Sequence, residues 1–98
     1  MRVYIAGRVT NLPYDDVKKK FEAAETLLQI HSYEPISPLK YVNQDAKPDI
    51  AMSILLPIML TCDAVFTLHD WEQSEGAQIE VQLARYCGMP LINEEDLT

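Results

Sequence analysis

One carboxylate stands where an acid is costly. Read as a helix at about 100° per residue, residues 75–87 place Gly76, Ile79, Leu83, Ala84 and Cys87 on one face with Glu80 near its centre, while Gln78, Gln82 and Arg85 fall opposite. Glu80 is the only carboxylate on that inward stripe. An ionised carboxylate taken out of water must be paired or neutralised, so an acid kept there implies a partner or a shifted pKa, and a task. The structural alternative is an acid that snorkels, or that pairs with a core Tyr or His.

The residues before Glu80 also read as a site. Ser74 is placed as an N-cap, able to accept from backbone N–H groups or to donate to an anion. Gly76 and Ala77 keep the first turn small enough for a ligand to approach the backbone. Ser-x-Gly at a helix start is commonplace as a cap, so the specific part is its coincidence with the inward acid. Gly7 follows the first strand pattern and turns the chain. With no G-x-G-x-x-G, dinucleotide binding has no support and no cofactor is expected.

The elements that must position these residues follow from periodicity. Residues 2–6 are short, β-rich and stopped by Gly7. Over residues 15–30 the apolar Val17, Phe21, Ala24, Leu27 and Leu28 recur at helical spacing, with Lys18, Lys19, Lys20, Glu22 and Glu25 outward. A second strand over 33–37 is stopped by Pro38, and 39–48 is a polar loop. Residues 49–61 are apolar on almost every face, and Pro57 predicts a kink or a break near Leu56. Such a helix predicts a neighbouring subunit burying Ile54, Ile58 or Met59; two short pieces folded onto the sheet are the alternative. A third strand over 63–68, its exit loop, the Glu80 helix closed by Gly88, a fourth strand over 90–93 and a polar tail complete the chain.

The order β-α-β-α-β-α-β predicts a three-layer Rossmann-like or flavodoxin-like α/β fold. Its parallel sheet would have four or five strands, with helices on both faces. Ligands of such sheets bind beyond the carboxyl ends of the strands, at the switch in strand order, so loops 7–13 and 69–76 should converge on one crevice. Arg8 is the one cation near the first loop, a candidate for phosphate. Asp70 and His69 are either proton donors or, as a turn former and a solvated imidazole, plain loop residues. Trp71 is a flat wall for a ligand or a hydrophobic lid. Asp63 opens its strand at the wrong end for the crevice and reads as structural.

At 98 residues the chain makes one domain, residues 1–98, with 48% hydrophobic residues for a thin core. A net charge of −7 and only 8 Lys and Arg argue against nucleic acid and for a small molecule or a protein as partner. Cys62 and Cys87 make no disulfide scaffold, no Cys/His spacing suits zinc, and no metal is expected. A strand pattern opens the chain, so no signal peptide is expected, and residues 50–60 are too short for a bilayer. No membrane and a cytoplasmic location follow as expectations.

Tyr4-Ile5-Ala6-Gly7, Cys62-Asp63-Ala64-Val65 and Asp70-Trp71-Glu72-Gln73-Ser74-Glu75-Gly76-Ala77 leading to Glu80 together resemble the nucleoside 2-deoxyribosyltransferase-like family, nearest a small bacterial and phage branch. The similarity runs in order along nearly the whole chain. It implies an enzyme in which Glu80 attacks the anomeric carbon of a deoxynucleoside or its 5′-monophosphate, the base departs, and water or another base resolves the glycosyl-enzyme. It further implies that Tyr4 orients the acid and that Ser74 contacts a 5′-phosphate. Gly7, Arg8, Asp70, Trp71 and Gly76 are the other candidate substrate contacts.

One departure stands out. Relatives with this chemistry carry an Asp before the third strand that protonates the leaving base, whereas the matching stretch here is Ile54-Leu55-Leu56. Loss of a general acid costs about 10²- to 10⁴-fold in rate. Two other readings therefore stay open: a nucleotide-binding module that has lost turnover, and an oligomeric interaction protein on the same fold.

Overall fold

The computed structural model describes residues 1–98. Four strands, β1 (Arg2–Ala6), β2 (Glu34–Ile36), β3 (Ala64–Thr67) and β4 (Leu91–Asn93), form an all-parallel sheet in the order β2-β1-β3-β4. Helices α1 (Tyr14–Ile30), α2 (Pro48–Leu60) and α3 (Glu75–Tyr86) connect them, and a single turn, α4 (Glu94–Leu97), closes the chain. The predicted α/β class holds, with four strands. The chain runs from β1 outward to β2 and then back across β1 to β3, so the switch in strand order lies between β1 and β3.

Alternation along the strands divides the core. Val3, Ile5, Ala64 and Phe66 share one apolar cluster with Val17, Phe21, Ala24 and Leu28 of α1. Tyr4, Ala6 and Val65 share the other with Leu55 and Met59 of α2 and Ala77, Val81 and Ala84 of α3. Leu97 packs against the α1 cluster, so the expected polar tail is instead a helical turn with a docked leucine. Asn93 and Asp96 form the capping box that starts it.

Three expectations need correction. The buried stripe of α3 is Ala77, Glu80, Val81 and Ala84, while Ile79 is 46% exposed and Cys87 lies beyond the last turn. Glu80 does face inward, but the stripe is rotated because two alanines let the helix lie close to the sheet. Helix α2 runs through Pro57 without a break. Proline removes one N–H on an exposed face, since Pro57 and Ser53, whose carbonyl that N–H would have served, are both exposed. Met59 is fully buried in its own core and is no interface residue, whereas Ile54 is 40% exposed. Gly88, at φ 73°, does end α3: the Met89 N–H donates to the Ala84 carbonyl and the Gly88 N–H to the Arg85 carbonyl, a Schellman closure.

Candidate active site

The carboxyl end of β1 and the segment that leads from β3 into α3 border a cavity of about 450 Å³. Its walls are the loop after β1 (Gly7 to Asn11), the stretch from Pro38 to Pro48, the inner side of α2 through Ala51, Met52 and Leu55, and the start of α3 from Gln73 to Glu80. No aromatic side chain is among them, and the ionisable ones are Arg8, Glu75 and Glu80.

Glu80 is positioned by the second turn of α3, whose start is fixed by Ser74. The Ser74 Oγ accepts from the Ala77 N–H at 3.2 Å and the Ser74 carbonyl from the Gln78 N–H at 2.9 Å. The N–H groups of Glu75 and Gly76 have no acceptor within the chain, as the first turn of a helix leaves them. One turn on, Glu80 is 4% exposed, and the Tyr4 hydroxyl, fully buried on β1, donates to its Oε2. No cation pairs with it. Burial pushes the Glu80 carboxyl up to about 7, against a smaller opposing pull from the Tyr4 hydrogen bond. Burial, and then the charge of Glu80, raise the Tyr4 phenol, so it stays a donor across the physiological range. The arrangement supplies an acid poised between its two protonation states, held in one orientation at the edge of a cavity with both polar and apolar walls.

Gly7 serves packing more than turning: a Cβ there would meet Leu68 Cδ1 at 2.5 Å and Leu68 Cβ at 3.0 Å. At Gly76 a Cβ would come no nearer than 3.6 Å to Met52 Cε, so the fold itself does not require glycine there.

Of the residues singled out in the sequence, Gly7, Arg8, Ser74, Gly76 and Glu80 line the cavity, with Tyr4 directly behind Glu80. Asp70 and Trp71 do not line it. Asp70 accepts from Lys20 Nζ at 2.5 Å and from the Arg8 N–H at 3.1 Å. Burial alone would raise its carboxyl, but these donors outweigh burial and hold it below the usual range. Trp71 packs against the α2–α3 cluster with the Arg85 guanidinium 5.8 Å from its ring centre. His69 is exposed and lies 3.1 Å from Glu94, away from the cavity. Asp63 accepts from the Arg2 N–H at 2.8 Å at the amino end of the sheet, a structural role.

Leu55 lines the cavity where the resemblance expects an acid. Sequence reasoning missed Gln44, whose Nε2 donates to the Val9 and Leu12 carbonyls at 3.3 and 2.9 Å, and it read Lys20 as an outward charge. No group of three or more His, Cys, Asp or Glu side chains is placed to hold a metal ion. No helix is long and apolar enough to cross a membrane.

Fold and site together define a small parallel α/β protein with a ligand-sized cavity at its strand switch and a buried acid in the wall. The chain belongs to the family described as Domain of unknown function (DUF4406), which matches residues 1–93. No curated protein matches it.

Proposed function

We propose that the protein cleaves or transfers the N-glycosidic bond of a (deoxy)nucleoside or nucleoside 5′-monophosphate, with Glu80 as nucleophile. The observation that carries this reading is Glu80 itself: buried, free of any cation, held by Tyr4, and facing a cavity within the 300–1,000 Å³ span of small-molecule sites. In the first step an ionised Glu80 oxygen bonds to C1′ as the C1′–N bond breaks, and the base leaves with the electron pair. In the second, water or another base attacks C1′ and gives its proton to solvent, while the C1′–O bond to Glu80 breaks and Glu80 is released as carboxylate. Tyr4 keeps the second carboxylate oxygen hydrogen-bonded throughout. With Leu55 in place of an acid, the base takes its proton from solvent, and substrates with easily leaving bases react fastest.

Leu55 also favours a second reading, a module that binds the nucleotide and does not turn it over. Incubation with nucleosides and monophosphates, following free base and thermal shift together, separates the two. Base release that Glu80→Gln abolishes supports catalysis, and a ligand-induced shift with no base release supports the module. Turnover that survives Glu80→Gln would remove Glu80 as nucleophile.

We further propose that the chain works as a homodimer or higher homo-oligomer in the cytoplasm. Residues 50–62 carry no charge in a chain of net charge −7, and Ile50, Ile54 and Leu60 are each at least 40% exposed along them. Two copies of like charge meet most readily on such a face. Both cysteines are free, as a reducing compartment would keep them.

A further inference from the structure

The cavity wall after β1 has little backbone support of its own. Apart from the turn at Thr10 and Asn11, no backbone-to-backbone hydrogen bond holds residues 8–12, and of the loop's side chains only Arg8 Nε donates within it, to the Thr10 carbonyl at 3.3 Å. Side chains from three other segments hold it instead. Lys20 Nζ, on α1, donates to the Arg8 carbonyl and to Asp70 Oδ2, each at 2.5 Å, while Asp70 Oδ1 accepts from the Arg8 N–H. At the other end, Gln44 Nε2 donates to the Val9 and Leu12 carbonyls. The Lys20 and Asp70 side chains are only 15% and 11% exposed, so solvent and salt do little to loosen them.

We propose that Lys20, Asp70 and Gln44 are positioning residues that fix the 8–12 loop, and so set the width of the cavity that Arg8 and Ser74 both line. The loop is a wall whose place is decided from outside it. The identity of the ligand rests on the glycosyl-transfer reading; the latch does not. Loosening the wall lowers affinity and leaves Glu80, on the rigid α3 helix, to react at its usual rate once substrate is seated.

The test compares the full chain with Lys20→Met, which keeps the stem beside the Phe21 ring, with Lys20→Arg and with Gln44→Leu. Exchange of the Arg8 N–H, the one amide of the loop with a side-chain acceptor, should accelerate about tenfold or more in Lys20→Met and Gln44→Leu while β1 and α3 exchange as before. Lys20→Arg should restore the slow rate. With the four 2′-deoxynucleosides and their 5′-monophosphates as probes, KM for base release should rise about tenfold in the same two variants, with kcat within about twofold. Unchanged exchange of the Arg8 N–H, an equal acceleration across the whole chain, or a fall in kcat at constant KM would each overturn the latch. If the wild type releases no base from any probe, the glycosyl reading fails, and the exchange measurement alone still decides the latch.

Discussion

Burial and a phenol set the Glu80 carboxyl near pH 7, and this has a cost that can be measured. In the unfolded chain such a group titrates near 4.5 and in the fold near 7. Between those values the folded state holds a proton that the unfolded state has released. Stability from this group is therefore greatest below about 4.5, declines as pH rises toward 7, and is level above it. At 1.36 kcal/mol per unit the full decline is roughly 3 kcal/mol. Glu80→Gln cannot titrate and keeps an oxygen for the Tyr4 hydroxyl. Its stability relative to wild type should rise between pH 4.5 and pH 8 in urea unfolding, by up to about 3 kcal/mol. A pH-independent difference would mean that Glu80 ionises as a surface acid does. If Glu80 is the proposed nucleophile, base release by the wild type should climb through pH 7 as its carboxyl ionises. The two glycines make a paired prediction. Gly7→Ala must displace the buried Leu68 and should cost about 1–3 kcal/mol. Gly76→Ala has room, should fold with unchanged or slightly higher stability, and should weaken ligand binding in a thermal-shift assay because its methyl group enters the cavity. Inward placement of Glu80 was legible from helical period alone. Its partner was legible only through the resemblance, since no local pattern joins residues 76 positions apart.

At the scale of elements, the helices and strands follow their patterns, and the errors have physical causes. The Glu80 helix was read from bulk, which put Ile79 inside; the small side chains Ala77 and Ala84 decided otherwise, because they allow the closest approach to β1 and β3. Pro57 was read as a kink or a break; the helix has no break there, because an exposed proline takes its N–H from a face of the helix that solvent can reach. Lys20 lies in a run of three lysines and looked solvated; only the return of the chain at Asp70 gives it a partner. Gln44 lies in a loop without periodicity, so nothing in the sequence marked it. The start of α3 offers a test of one element alone. Ser74→Ala removes the acceptor for the Ala77 N–H and should lower stability by about 1 kcal/mol, whereas Ser74→Gly should lose only a few tenths. If Ser74 also meets substrate, both variants should raise KM equally despite that difference in stability.

At the scale of the molecule, the charge-free face of α2 predicts self-association. Light scattering at micromolar concentration should give a mass of at least two chains, and Ile54→Lys should shift it to one chain while leaving the unfolding free energy of the dilute protein within about 0.5 kcal/mol of wild type. A monomer mass for the wild type would remove the proposal. The fold class was legible because parallel crossovers leave a regular alternation of strand and helix. The cavity was not, because its walls come from four separate stretches whose meeting is a tertiary fact.

The sheet itself also restricts how copies can meet. Its outer strands, β2 and β4, are three residues each, and β2 has Pro35 at its centre. The Glu34 N–H donates inward to the Met1 carbonyl, so by alternation the Pro35 nitrogen faces the open side, where it has no hydrogen to offer. A strand from another molecule laid along β2 would find its central donor missing. Edge-to-edge growth into a continuous ribbon, the common route by which exposed sheets aggregate, is thus blocked on that side by one residue.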